Sequence, residues 1–498
     1  MNSGSMVCIL RLTARCKLFP SNTQCSIPFH NQASTEEVFC EQKPGKMSVP
    51  KDSDALANAK QGRRRSTAAR KRSVSTSKPG SPIPKFLKIL GPGLITGAAD
   101  DDPSGIATYS SIGAQFGYGM LWTMPFIYPF MAAIQEISAR IGRVTGRGIA
   151  ANMRHSYPRW LLCTVVGLLL FANIINLGAD IGAMAAAVNL LIGGPIPVYC
   201  VLLTVFSLLL QVWVPYQRYA AALKWLSLSL FAYVATVFVV KVDWMKALQG
   251  TFVPKISLTS DYLQALVAVL GTTISPYLFF WQSSEEVEDL ESVTKDKALK
   301  RAPSQGPEHL QRIRLDTYLG MAFSNLIAYF IILTVAVTLN AHGQTNIDSA
   351  EQAAEALRPI AGQFASLLFS LGIIGTGLLA LPVLAGSGAY AIGEALRWPV
   401  GLQRKASKAK AFYAVLALST LIGLVLNFIG INPIRALVWS AIINGVTAAP
   451  VMCCLMIMAS SRKVMGKFAL PTYLRIFGWV ATLIMGLAAI GMLWPSGK

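Results

Sequence analysis

With 53% hydrophobic residues, 14% charged residues and a mean hydropathy of +0.49, this 498-residue chain lacks the composition of a soluble domain, in which about a quarter of residues carry charge. Its net charge of +20 would suit a nucleic-acid binder, but the long apolar runs from residue 86 onward exclude a soluble one. A polytopic, all-α membrane protein remains.

The chain opens on a basic tail. Residues 1–85 hold 15 Lys and Arg against 5 Asp and Glu. They are rich in Ser, Lys and Arg and lack periodic hydrophobicity, which predicts a disordered cytoplasmic segment. The run GRRRSTAARKRS at 62–73 is expected to lie against anionic lipid, with no nucleic-acid partner. Cys8, Cys16, Cys25 and Cys40 fit no CxxC or zinc spacing; Cys163, Cys200, Cys453 and Cys454 fall in apolar runs and read as small packers. The opening residues lack the apolar core of a secretory leader. Met47 offers an alternative start that would leave out 1–46.

Residues 86–498 read as the transmembrane unit. A crossing helix needs about 20 apolar residues. Eleven candidates start near Lys85, Gly119, Trp160, Pro195, Tyr219, Ser260, Tyr318, Ile360, Lys410, Pro433 and Pro471. Positive charge gathers in alternate loops. Arg140, Arg143, Arg147, Arg154 and Arg159 lie between spans two and three, and Lys295, Lys297, Lys300, Arg301, Arg312 and Arg314 between six and seven. Arg404, Lys405, Lys408 and Lys410 precede span nine, and Arg462, Lys463 and Lys467 precede span eleven. This bias predicts a multi-pass plasma (inner) membrane protein with its N-terminus in the cytoplasm and its C-terminus outside. Spans one to five (86–241) and six to ten (259–460) then form two repeats of opposite orientation, with an extra helix at 471–494. Loop 287–313 is expected to be an exposed cytoplasmic connector, with Glu285, Glu286 and Glu288 on a solvated helix end. Loop 340–359 reads as external, with a short helix in SAEQAAEALRP whose Glu351 and Glu355 are solvated. Glu136 and Arg140 are spaced for an ion pair along one helix.

Spans one and six are each interrupted. The first, GPGLITGAADDDPSGIATYSS, breaks at Asp100-Asp101-Asp102-Pro103-Ser104-Gly105; the second, LVAVLGTTISPYLFFWQ, breaks at Thr272-Thr273-Ile274-Ser275-Pro276. Proline lacks an N–H, so Pro103 frees the carbonyl of Ala99 and Pro276 that of Thr272. The half-helices before the breaks end near the bilayer midplane with the negative ends of their dipoles. Carbonyl oxygens and a carboxylate there suit a cation and repel an anion. Asp102, next to the proline, is the first-choice ligand; Asp100 and Asp101 point elsewhere around the turn and line the path. Asp180 lies four residues after Asn176 and could pass a proton. The chain's four histidines fall in the tail or loops, so no span holds a histidine relay.

GPGLI, DPSGIAT, GAQFGYG, RVTGRG (Arg143–Gly148), GTTISP and RKVMGKF together resemble the Nramp divalent-metal transporters. The resemblance implies a LeuT-like 5+5 inverted repeat with discontinuous helices one and six. It also implies alternating access, a divalent metal ion as cargo and no resident cofactor. The family's span-one motif is Asp-Pro-Gly-Asn. Here Asp102 stands at its Asp, but Gly105 replaces the Asn and offers only a backbone carbonyl. Ser275-Pro276-Tyr277 replaces Met-Pro-His, and Gln282 stands at a second His. Asp180 matches an acid in span three, whose neighbouring acid is Leu177 here. These departures resemble the Nramp-related branch that includes magnesium transporters. Ser hydroxyl, carbonyl, carboxylate and water are hard ligands, suited to a partly hydrated Mg²⁺ or Mn²⁺. Metal ligands are thus expected at Asp102, Ser275, Thr272, Gly105 and Ala99, with Asp100, Asp101, Tyr277 and Gln282 along the path. The expected mode is weakly proton-coupled transport or facilitated diffusion. Alternatives are a proton-coupled carrier of Fe²⁺ or of many divalent ions, a LeuT-fold carrier of an organic solute, and a membrane enzyme using Mg²⁺. The last would want two Asp-rich motifs, and the interrupted run LVAVLGTTISPYLFFWQ contains no Asp. The oligomeric state stays open.

Overall fold

A computed structural model describes residues 96–97, 99–214 and 228–493. The basic tail and the first parts of spans one and five lie outside the described residues. Helix α1 (Pro103–Phe116) is the second half of span one, and α2 (Thr123–Thr145) is span two. A short α3 (Ile149–Ser156) precedes α4 (Arg159–Ile192) and α5 (Ile196–Trp213). The end of span five is α6 (Phe231–Val239), followed by α7 (Trp244–Phe252). Span six is split into α8 (Ser260–Thr273) and α9 (Pro276–Ser292). Then come α10 (Gly306–Thr338), α11 (Ala350–Glu355) and α12 (Ala365–Leu396). Helices α13 (Lys410–Leu426), α14 (Pro433–Ser460) and α15 (Thr472–Leu493) complete the chain. The described residues contain no strand.

Eight segments among the described residues are long and apolar enough to cross a membrane. They match expected spans three, four and six to eleven. Span two is present as the 23-residue α2, made less apolar by Gln135, Glu136 and Arg140. Both breaks fall where the prolines demand. Pro103 and Pro276 occupy the first position of α1 and α9, where a missing N–H costs nothing. The short helix in loop 340–359 is α11, closed by a capping box between Ser349 and Gln352.

Packing brings the two interrupted spans together. α4 runs along α12 and α14, α8 lies on α14, and α1 touches α8, α10 and α14. Glycine permits the closest of these approaches. A Cβ at Gly445 would sit 2.6 Å from the Val267 carbonyl oxygen and 3.3 Å from the Gly271 Cα, so α8 and α14 meet backbone to backbone just before the span-six break.

The end of span six departs from expectation. Glu285, Glu286 and Glu288 are buried, at 6, 0 and 8% exposure, so this is not a solvated helix end. Arg312 holds Glu286 at 2.6 Å, while Glu288 accepts from the Leu402 amide at 2.7 Å and from the Tyr390 hydroxyl. Loop 287–313 is likewise no free connector. Leu299 and Lys300 donate backbone hydrogen bonds to the Arg143 and Val144 carbonyls at 3.2 and 3.1 Å. Arg143 itself is buried; it pairs with Asp289 at 3.0 Å, with Asp296, and with a ring nitrogen of His309 at 2.7 Å. Together α2, α9, α10 and the loop between the last two form one ionic clasp.

Candidate cation site

The three consecutive aspartates are 0, 2 and 1% exposed, which rules out a loop at the membrane surface. Their side chains part company. Asp102 caps α1: its Oδ1 accepts from the Gly105 amide and the Ser104 hydroxyl, both at 2.8 Å. Its Oδ2 accepts from the Asn176 amide at 3.1 Å and the Tyr277 hydroxyl at 3.2 Å. One carboxylate therefore joins span one, span three and the second half of span six. Asp100 and Asp101 turn instead to α10, where the Ser324 hydroxyl lies 2.5 and 3.1 Å from them.

The span-six break lies against the same point. A Cβ at Gly105 would stand 3.2 Å from the Thr272 hydroxyl oxygen and 3.3 Å from the Tyr109 ring. Placing the family's asparagine there must displace Thr272. Gly105→Asn is expected to cost about 1–3 kcal/mol by overpacking, read as a lower melting temperature, instead of rebuilding a two-side-chain ligand set. Ser275 does not point at Asp102: its hydroxyl donates to the Gly271 and Thr272 carbonyls at 2.7 and 2.9 Å. Of the two, the Thr272 carbonyl is the one that Pro276 leaves without an amide donor. Ala99 is buried just before the acids, and Gln282 accepts from Thr96, tying the second half of span six to the start of span one.

Asp102, Gly105, Thr272, Tyr277 and Asn176 thus come together, whereas Asp100, Asp101 and Gln282 face other neighbours. Asp180 is fully buried, and neither of its carboxylate oxygens has a hydrogen-bond partner among the described residues. No group of three or more His, Cys, Asp or Glu among the described residues is placed to hold a metal ion. Sequence reasoning missed Ser324 and Ser440. The latter, on α14, donates to the Asn176 oxygen at 2.7 Å and extends the network to span ten. Its only signal is a lone polar residue in an apolar run.

A cavity of about 320 Å³ opens between α1, α8, α14 and the loop before α11. Ser111, Gln115, Gln264, Asp348 and Arg435 contribute its polar lining. Arg435 and Asp348 pair across it at 3.0 Å. This vestibule lies toward the start of span six, and the ionic clasp at its other end.

Comparisons with known proteins converge. The profile described as natural resistance-associated macrophage protein-like (Nramp) matches residues 93–495. A divalent metal cation transporter MntH from Klebsiella pneumoniae (strain 342) is 24% identical over 412 residues, covering 80% of this chain and 92% of the relative. An MntH from Caldanaerobacter subterraneus subsp. tengcongensis is 25% identical over 425 residues, covering 82% and 93%. Among solved structures, a manganese transporter from Eremococcus coleocola, in complex with an aromatic bis-isothiourea substituted compound, superposes with a TM-score of 0.66. It shares 16% identity, with 85% of this chain and 92% of that one covered.

Proposed function

The chain belongs to the Nramp family, and from that premise we propose that it carries a hard divalent cation, Mg²⁺ or Mn²⁺, into the cytoplasm by alternating access. It is a multi-pass membrane protein of all-α inverted-repeat fold. The relatives are divalent-metal transporters by name, and the chain is a carrier, not an enzyme. The observation that carries the reading is Asp102, a buried carboxylate between two half-helices, none of whose hydrogen-bond partners bears sulfur or imidazole. Such a site favours hard ions over soft ones. A single carboxylate without a closed ligand cage suits an ion that keeps part of its water, as Mg²⁺ does.

Asp102 fixes the cation while the carbonyl-rich end of α8 faces it. Asn176 and Tyr277 donate to this carboxylate and must yield as the ion arrives. Asp180, one turn from Asn176 and without hydrogen-bond partners among the described residues, supports a proton path beside the metal path. The alternating charge of the loops supports a plasma-membrane orientation with the N-terminus inside.

Uptake of a metal panel into proteoliposomes tests the reading. Mn²⁺ and Mg²⁺ should enter, with Cd²⁺ a poor competitor. Ser275→Met supplies a thioether and should strengthen Cd²⁺ competition about tenfold, one soft ligand's worth. Cd²⁺ outcompeting Mg²⁺ at low micromolar concentration in the unaltered protein would sink the hard-site reading.

A further inference from the structure

Asn444 lies on α14, four residues past Ser440, and is fully buried. Neither its amide oxygen nor its amide nitrogen has a hydrogen-bond partner among the described residues. An orphan amide in an apolar interior is costly, and native proteins keep one where water, an ion or function completes it. Two independent contacts place this helix turn at the cation site. Residues at i and i+4 share a helix face, and Ser440 is bonded to Asn176, which is bonded to Asp102 at 3.1 Å. The next residue, Gly445, lies against Gly271 at the end of α8, whose carbonyl Ser275 caps. The vestibule is lined by α14 only as far as Ile442. Asn444 therefore lies beyond it, one turn deeper than Ser440.

We propose that Asn444 gives its amide oxygen to the transported cation, or to a water in its shell, as the ion leaves Asp102 away from the vestibule. Gly105 brings no amide to span one, and α14 supplies one from the opposite wall. Oxygen from a neutral amide is a hard ligand that holds a divalent ion without trapping it. The inference rests on the reading that Asp102 holds the cation.

Mn²⁺ uptake by the full-length protein in liposomes, with melting temperature measured alongside, tests it in three variants. Asn444→Ala should slow uptake about tenfold and raise the KM for Mn²⁺, the loss of one ion-bound oxygen. Its melting temperature should hold or rise, because an unpaired buried amide is removed. Asn444→Asp keeps an oxygen in place and should recover uptake. Asp102→Asn calibrates the experiment. If it abolishes uptake while Asn444→Ala transports normally, the proposal fails and the role of Asp102 stands. If Asp102→Asn transports normally, both fail. A lower melting temperature for Asn444→Ala without recovery in Asn444→Asp marks a packing residue and overturns the proposal.

Discussion

Asp102→Asn is expected to abolish metal uptake while leaving the fold in place. The two properties separate because the carboxylate has two separable jobs. Asn is as good a helix N-cap as Asp, so its side-chain oxygen can still accept from the Gly105 amide and Ser104 hydroxyl. The new amide group would face the Asn176 amide, now a donor against a donor. A flip of Asn176 relieves that clash, because Ser440 can then accept from it while still donating to Leu437 at 2.7 Å. Stability should change by no more than about 1 kcal/mol. The cation, by contrast, loses the one formal charge bonded across three spans. In a site shielded from water, a charge at contact distance is worth several kcal/mol. Uptake should fall roughly a hundredfold or more, about 2.7 kcal/mol in the barrier. Flux measured with ⁵⁴Mn in proteoliposomes checks this; near-normal flux would remove the carboxylate from the mechanism.

The second large effect is on stability. Arg143→Met should lower the melting temperature by several degrees, through a loss of about 3 kcal/mol. Breaking a buried pair is expensive because the abandoned partners remain charged. Asp296 would keep His309 at 3.6 Å, and Asp289 would keep Arg312 at 3.3 Å. The estimate sits at the low end because the Asp289 side chain is 37% exposed. Arg143→Lys should recover only part of the loss, since an ammonium cannot reproduce the two-armed geometry. Thermal unfolding in detergent, followed by tryptophan fluorescence, gives the answer; an unchanged midpoint for Arg143→Met would make the clasp ornamental.

The parts of this fold that were legible in sequence are those governed by one stretch of chain. Pro103 and Pro276 mark both breaks because each stands beside a polar run, whereas Pro129, Pro382 and Pro450 stay inside continuous helices. Glu136 and Arg140 pair at 2.5 Å as their spacing requires. The RVTGRG motif is explained in space: Gly146 takes a left-handed φ of 65° to end α2. Gly148 leaves room for Glu394, whose carboxylate accepts from the Ala151 amide at 3.0 Å and from Ser284 at 3.2 Å. What stayed hidden depends on distant segments. Three glutamates in a polar run look solvated until Arg312, Tyr390 and the chain at 402–403 are folded over them. Ser440, Ser324 and Asn444 are single polar residues in apolar helices, and only the packing of spans seven and ten brings meaning to them. Ser275 was expected to face the ion; its nearest acceptors are the carbonyls of its own helix end, and a local hydrogen bond won.

The bare contact between Gly271 and Gly445 carries a further consequence. With no side chain on either residue the two backbones touch directly, and a Cβ on Gly271 would run into the Ala441 carbonyl oxygen. A larger residue at either position would therefore part spans six and ten beside the span-six break.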